Sequence, residues 1–261
     1  MRSRVIEPTT EQILRFCAAE PVERVFLEDV ARRRRGRFAA LADREGELTA
    51  LCHLGSNLVP SGVGCGAFAG LAVKAGARML IGETGAVTDL WEAVRRKLPS
   101  PRLDRPGQPV YAITEMPQEG GTNLRPATPA DLDLLVPACA AAHFEEIAVD
   151  PLRHDPGGFR RRTMAQIDEG RSWLWVEDGV IRFKAEVSAW TDTAVQLQQV
   201  WADPPARGQG YGARALRDLI RILLVDTPIV CLFVRAENAV AILLYESVGM
   251  SHVLDYRSIL L

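Results

Sequence analysis

Trp201-Ala202-Asp203-Pro204-Pro205-Ala206-Arg207-Gly208-Gln209-Gly210-Tyr211-Gly212-Ala213 is the stretch on which the reading of this chain turns. Upstream, Val195 and Leu197 alternate with Gln196 and Gln198, the period of a strand that runs on to Ala202. Downstream, Leu216, Leu219, Ile220 and Leu223 form the apolar stripe of an amphipathic helix. A proline-bearing loop joins them and places three glycines in five positions. Alternate glycines let the backbone approach a ligand closely, and a helix start leaves several N–H groups unpaired. Those donors and the helix dipole favour an anion, so the segment reads as a cradle for phosphate or pyrophosphate.

Two patterns fit the glycines. Gly208-Gln209-Gly210-Tyr211-Gly212-Ala213 satisfies the dinucleotide fingerprint G-x-G-x-x-A, and Glu237 stands after the next strand, near the place of its acid. A dinucleotide fold, however, runs its first strand straight into the first glycine. Here Asp203 to Arg207 intervene, with two prolines that cannot donate to a ladder. The same residues also read Arg-x-x-Gly-x-Gly through Arg207, Gly210 and Gly212. In that frame they resemble the pyrophosphate loop of the GCN5-related N-acetyltransferase (GNAT) superfamily. The resemblance implies that backbone amides from Arg207 through Gly208, Gln209, Gly210, Tyr211, Gly212 and Ala213 hold the pyrophosphate of acetyl-CoA.

A second element lies about 30 residues downstream, a paired-motif spacing. After the apolar strand 229–234, Asn238 is a good N-cap and Gly249 a good helix stop. Asn238, Ala241, Leu244, Tyr245, Glu246 and Gly249 spell Asn-x-x-Ala-x-x-Leu-Tyr-Glu-x-x-Gly, which is similar to the last helix of acetyltransferases in the same superfamily. Alone, the segment is a capped helix with a half-buried tyrosine. Paired with the glycine loop, it implies that Asn238 meets CoA and that the Tyr245 hydroxyl sits near the CoA sulfur.

The rest of the C-terminal half keeps the family's order. Asn123 to Pro129 gives a strand and a Thr-Pro helix start, and residues 132–144 the helix. Strands 172–176 and 181–187 flank the turn Glu177-Asp178-Gly179, and 251–261 closes as a strand. The N-terminal half repeats this order without its chemistry. It offers a hairpin over 36–55, then Asn57-Leu58-Val59-Pro60 and a Gly-rich segment over 61–66, a helix near 67–76, a strand at 78–82, a helix over 87–97 and a strand over 109–114. Gly62-Val63-Gly64-Cys65-Gly66 lacks an arginine at the matching place and reads as a spacer. The whole resembles two-domain GNAT proteins of actinobacterial type. That implies an α/β (α+β) fold of two GNAT-like domains, each a mixed, mostly antiparallel sheet flanked by helices. A degenerate domain is expected over 1–116, a linker over 117–122 and the acetyltransferase domain over 123–261.

Bulk properties mainly exclude. With 261 residues, 48% hydrophobic, the chain can bury one large core or two modest ones. A net charge of −2 gives no global pull toward nucleic acid or a membrane. No apolar run approaches a membrane span, and the stretch from Met1 to Pro8 lacks the apolar core of a signal peptide. Cys17, Cys52, Cys65, Cys139 and Cys231 are scattered, as expected of reduced thiols in a cytoplasmic protein. His53, His143, His154 and His252 show no metal-ligand spacing, so no metal is expected. The run Arg32 to Arg35, flanked by Glu28 and Asp29, reads as a solvated helix end rather than a nucleic-acid patch, because no aromatic platform accompanies it.

Acyl transfer to an amine sets the remaining expectations. A lysine-like amine with pKa ~10.4 must lose a proton before it attacks, which costs roughly 4.6 kcal/mol at pH 7. The developing oxyanion needs a donor, and an amide near Trp201 or Ala202 on the strand before the loop is the candidate. Tyr245 is the candidate general acid for the departing thiolate. Some family members carry a glutamate on that strand; here Gln196, Gln198 and Gln199 occupy it. Glu186, Glu145 and Glu146 are therefore the candidate bases. The leading reading is an acetyl-CoA-dependent N-acetyltransferase acting on the amine of a small molecule or protein. A non-catalytic acyl-CoA-binding module and a nicotinamide-dependent dehydrogenase are the alternatives.

Overall fold

A computed structural model describes residues 4–261; Met1 to Ser3, where the reading of the N-terminus begins, lie outside the described residues. The N-terminal half runs β1 (Arg4–Ile6), α1 (Thr10–Ala18), α2 (Pro21–Arg32), β2 (Phe38–Ala42), β3 (Leu48–Leu54), β4 (Asn57–Gly62), α3 (Ala69–Lys74), β5 (Met79–Glu83), α4 (Thr84–Val94) and β6 (Leu103–Ile113). The C-terminal half runs β7 (Arg125–Pro126), α5 (Leu132–Ile147), α6 (Pro151–His154), α7 (Pro156–Asp168), β8 (Ser172–Glu177), β9 (Val180–Trp190), β10 (Val195–Ala202), α8 (Tyr211–Leu223), β11 (Val230–Phe233), α9 (Ala239–Ser247) and β12 (Ser251–Leu260). Local chemistry sets the ends. Thr9 and Gln12 form a reciprocal capping box on α1, Pro21 starts α2, and Asn238 caps α9 through the Ala241 N–H.

The strands form one mostly antiparallel 12-stranded sheet, in the order β1-β2-β3-β4-β5-β12-β6-β11-β10-β9-β8-β7. Its centre is an exchange. β12, last in the chain, pairs with β5 of the N-terminal half, with Leu260 opposite Met79. β6 crosses the other way and pairs with β11, with Ile113 opposite Val230. β6 and β12 run antiparallel to each other along most of their lengths. Each half therefore takes its last strand from the other, and burying those ladder groups ties the halves together.

Helices cover both faces. The main C-terminal core packs α8 (Leu216, Leu219, Ile220, Leu223) on Phe183, Val187, Val195 and Leu197, whereas Phe68, Val87, Leu90 and Val94 fill the N-terminal core. α2 crosses the seam, and its Val25 is buried with Ala189, Ala194 and Cys231 of the other half. At the same seam Asp29 accepts a hydrogen bond from Arg171 at 2.6 Å, both side chains being less than a tenth exposed. The arginine run is thus more than a solvated helix end. Arg32, Arg34 and Arg35 are exposed, yet Arg32 pairs with Glu28 and Asp192, Arg33 with Asp29 and Glu169, and Arg35 with Glu169. The Pro/Gly stretch 117–122 is pinned to α8: Asp218 accepts from the N–H groups of Gly120 (2.7 Å) and Thr122 (2.8 Å), and Arg214 donates to the Gly120 carbonyl. A Cβ at Gly120 would lie 1.9 Å from the Arg214 carbonyl oxygen, so only glycine fits there.

Candidate active site

The glycine loop opens onto solvent. Gly208 (φ +74°) and Gly210 (φ +83°) are left-handed, a conformation that L side chains avoid, and a Cβ on either would meet nothing within 4 Å. Gly210 caps α8. Among the described residues, the N–H groups of Gly208, Gly210, Tyr211, Gly212 and Ala213 have no protein acceptor. Neighbouring side chains are turned away from them. The Tyr211 hydroxyl donates to Glu177 and its ring lies 4.7 Å from that of Trp175, while Gln209 donates to the Pro205 carbonyl. An open nest of donors at a helix start suits a pyrophosphate.

The strand before the loop is bent for a purpose that sequence pattern does not show. β10 runs parallel to β11 only at Val195 and Gln196; beyond them the two strands part. β10 is otherwise antiparallel to β9, so the loop is not the first turn of a parallel dinucleotide-binding sheet. The pairing with β9 slips between Gln198 and Trp201, and Gln199 takes φ +51° in the bulge. Asp203 donates to the Arg182 carbonyl, and ladder alternation then turns the backbone groups of Ala202 away from β9, into the gap beside β11. The Ala202 carbonyl indeed accepts from Arg207 Nε at 3.1 Å on that side.

A cavity of about 780 Å³ extends from this gap to the N-terminal half. Trp201, Asn238, Tyr245, Glu145 and Glu146 line it. Tyr245 is 6% exposed, and its hydroxyl has no hydrogen-bond partner among the described residues. Burial, helped by the charge of Glu146, holds that hydroxyl well above the usual phenol range, so it carries its proton throughout physiological pH. Glu145 is held by both N–H donors around it. Arg207 Nη2 reaches its two oxygens at 2.8 and 2.9 Å, and Trp201 Nε1 reaches one at 3.1 Å. Glu146 accepts from Gln199 Nε2 at 2.6 Å.

Glu186 stands apart from the cavity. It accepts from Lys184 Nζ at 2.9 Å and from Cys139 Sγ at 3.3 Å, and its second oxygen faces Gln198. Lys184 is fully buried; burial works to lower its ammonium, but Glu186 and Cys139 outweigh this and its pKa lies above the ordinary lysine value. The Cys139 thiol is pushed up to about 12 by the same burial. Glu186 is thus the counter-ion of a buried cation, with both of its oxygens engaged by neighbouring side chains.

Sequence reasoning passed over one cavity residue with acid–base chemistry. His143, near the end of α5, lines the cavity, and burial lowers its pKa below the usual histidine value. It is therefore neutral at pH 7 and able to accept a proton. The available signal was helical spacing, since Ala142, Glu145 and Glu146 stand at i, i+3 and i+4 on one face of α5 beside it. Arg78, Arg102 and Arg105, scattered singly through the N-terminal half, also reach the cavity, and no motif marks them. Among the described residues no group of three His, Cys, Asp or Glu side chains could hold a metal ion.

Known proteins bear on this arrangement. The acetyltransferase (GNAT) family matches residues 141–250, and a domain of unknown function, DUF4081, matches residues 36–135. No curated protein matches the chain. Three solved structures match it almost end to end. An acetyltransferase from the GNAT family from Colwellia psychrerythraea gives a TM-score of 0.61 at 11% identity, covering 100% of this chain and 99% of that one. A GCN5-related N-acetyltransferase from Sphaerobacter thermophilus gives 0.61 at 17% identity, over 98% of this chain and 94% of that one. A tandem GNAT protein from the clavulanic acid biosynthesis pathway gives 0.56 at 13% identity, over 98% of each. At such identities the likeness is one of fold, and it spans both halves. Residues 141–250 are accordingly a domain of the acetyltransferase (GNAT) family, joined to a DUF4081 domain in a chain with the tandem GNAT fold throughout.

Proposed function

We propose that this protein is an acetyl-CoA-dependent N-acetyltransferase for an amine acceptor. The observation that carries the reading is the conjunction of two features. Five unsatisfied N–H groups gather at the start of α8, and the parting of β10 from β11 leads from that loop to the buried hydroxyl of Tyr245. The donors from Gly208 to Ala213, with Asn238, would hold CoA, which supplies an activated thioester. Fit is supported by the open space before Gly208 and Gly210.

The chain's own groups have separable tasks. The Ala202 N–H, turned into the gap, is placed to stabilise negative charge developing on a carbonyl oxygen. His143, neutral and in the cavity, takes the proton that the acceptor nitrogen loses as its new N–C bond forms and the C–S bond breaks. Glu146, polarised by Gln199, favours the arrival of a cationic amine. Tyr245, in the same cavity, would donate to the leaving sulfur of a bound thioester. Its hydroxyl is a weaker acid than a thiol of pKa ~8.5, so full proton transfer to a thiolate runs uphill and the phenol acts as a strong hydrogen-bond donor instead.

One observation favours a second reading, an acyl-CoA-binding module without turnover: Glu145 and Glu186 are both engaged by cations. Calorimetric titration with acetyl-CoA, CoA and NADH, beside thiol release with an amine panel, separates the readings. Saturable acetyl-CoA binding that is lost in Gly210→Asp, with amine-dependent thiol release, is expected. Binding without release supports the module, and NADH binding alone defeats both.

A further inference from the structure

The geometry points to an anion-binding subsite at the N-terminal end of the cavity, made by Arg78, Arg102 and Arg105, which selects acceptors that carry a carboxylate or phosphate besides their amine. This inference rests on the acetyltransferase reading and names the class of its acceptor. The three arginines come together through strand order, not through sequence. Arg78 and Arg102 flank the end of β12: the Leu261 N–H donates to the Arg78 carbonyl at 2.9 Å, and the Arg102 N–H to the Leu260 carbonyl at 2.8 Å. Arg105 stands opposite Ser258 of the same strand. Neighbouring strands lie only ~4.8 Å apart, so the backbones of the three arginines fall within two strand spacings, and all three side chains line the cavity.

None of the three is ion-paired among the described residues; Arg105 donates only to the Glu146 backbone carbonyl, at 2.9 Å. Elsewhere at this seam arginines are matched with acids, as Arg171 is with Asp29 and Arg33 with Glu169. Arg78 and Arg102 are exposed at the cavity mouth and Arg105 is half-buried, so their guanidinium forks are open to a ligand, and a carboxylate or phosphate satisfies several of their donors at once. The same cavity carries His143, Glu146 and Tyr245, and Arg105 meets α5 at the Glu146 carbonyl. Cations from the N-terminal half and carboxylates from α5 therefore share one cavity, with Arg235 beyond β11 as a further cation. Its volume is in the range of small-molecule sites, roughly 300–1,000 Å³. A small amine with an anionic tail spans such a cavity with both ends matched.

The test uses the full chain saturated with CoA for binding, and with acetyl-CoA for thiol release. The probes are β-alanine, 4-aminobutyrate and 6-aminohexanoate, each beside its carboxamide, and O-phosphoethanolamine beside ethanolamine. Anionic probes are expected to bind and react roughly tenfold to a hundredfold better than their neutral partners, the scale of one or two charge-assisted contacts. The preference should disappear in Arg102→Gln/Arg105→Gln and weaken in Arg78→Gln, with acetyl-CoA affinity and melting temperature held. The carboxylate and phosphate arms show which anion is taken. Equal use of charged and neutral probes, no heat from any anionic probe at millimolar concentration, or a preference that survives loss of the arginines overturns the subsite. Anion-dependent heats that vanish in the variants without any acetyl-CoA binding would keep the subsite and defeat the acetyltransferase reading.

Discussion

Asp29 and Arg171 join the two halves under cover, and their removal tests whether ion pairing or apolar packing holds the seam. Arg171 Nη2 lies 2.6 Å from Asp29 Oδ1, with side-chain exposures of 9% and 5%. Asp29 Oδ1 also accepts from the Trp190 N–H at 3.2 Å, and Arg33 stands 3.7 Å from its other oxygen. Arg171→Ala therefore strands a buried carboxylate, and Asp29→Ala a buried guanidinium left with the Ser188 carbonyl and Glu169 at 3.5 Å. Breaking one side of a buried pair costs about 3–5 kcal/mol. Unfolding entropy of ~2.1 cal/mol/K per residue over this chain is about 0.55 kcal/mol/K, so each single variant is expected to melt about 5–9 °C lower. The double variant leaves no orphaned charge and is expected to cost no more than the worse single one. Scanning calorimetry on the four proteins completes the cycle. Single shifts under about 2 °C, or losses that simply add in the double variant, would refute the claim that this pair carries the seam.

Three further outcomes follow from the site and the sheet. Tyr245→Phe is expected to slow thiol release by roughly 10–100-fold, the worth of one hydrogen bond to a charged sulfur, with acetyl-CoA affinity within about twofold in calorimetry; unchanged turnover removes Tyr245 from the chemistry. Burial lowers the pKa of His143; the charges of Glu146 and Glu186 oppose this and those of Arg162 and Lys184 add to it, so kcat/KM should rise as pH climbs through a value below ~6.5. His143→Gln should erase that limb, leaving only the limb set by the acceptor amine. The sign for stability is the same, because the unfolded chain binds this proton more readily: any contribution is present above ~6.5 and lost as pH falls toward the folded value. Expressed separately, residues 1–122 lack β12 beside β5, and residues 123–261 lack β6 beside β11. Each should be insoluble or unfolded by circular dichroism alone and recover native signal on mixing.

Much of the site was legible because it is local. Asp203 to Ala213 and Asn238 to Gly249 carry their meaning in glycine, proline and capping positions that short-range backbone geometry enforces, and the structure builds a loop, a capped helix and an open nest from them. β10 begins and ends at Val195 and Ala202, the residues its alternation marks. What sequence did not disclose is non-local. Helices α1, α2 and α7 show no motif that a reading centred on the glycine loop would seek, and α2 takes its role from packing across the seam. The bulge at Gln199 puts a positive φ on a residue type with no special liking for it, imposed by a register slip against β9. Glu186 looked available as a base because the strand pattern of β9 does not tell what covers its face, and Cys139 of α5 lies 47 residues away in sequence. Only the folded sheet reveals that Glu186, Lys184 and Cys139 are mutually engaged.

The exchange of β6 and β12 decides how function is divided between the halves. Beneath the cavity, Gln108 of β6 donates to Ser258 of β12 at 2.7 Å, both almost wholly buried, so the floor is built from one strand of each half lying in the other's territory. The N-terminal domain has no cradle of its own. Its Gly62 lies where a Cβ would press to 2.4 Å on the Thr49 carbonyl, and the N–H groups of Val63, Gly66 and Ala67 are already taken by the Thr49 carbonyl, Asp89 and the Gly64 carbonyl. What it contributes is position: Arg78 before β5, Arg102 before β6 and Arg105 within β6 line the cavity beside the end of β12. On the proposed reading the N-terminal half forms the acceptor-facing side of the cavity, so substitutions in the DUF4081 half are expected to change which amine is used before they change how acetyl-CoA is held.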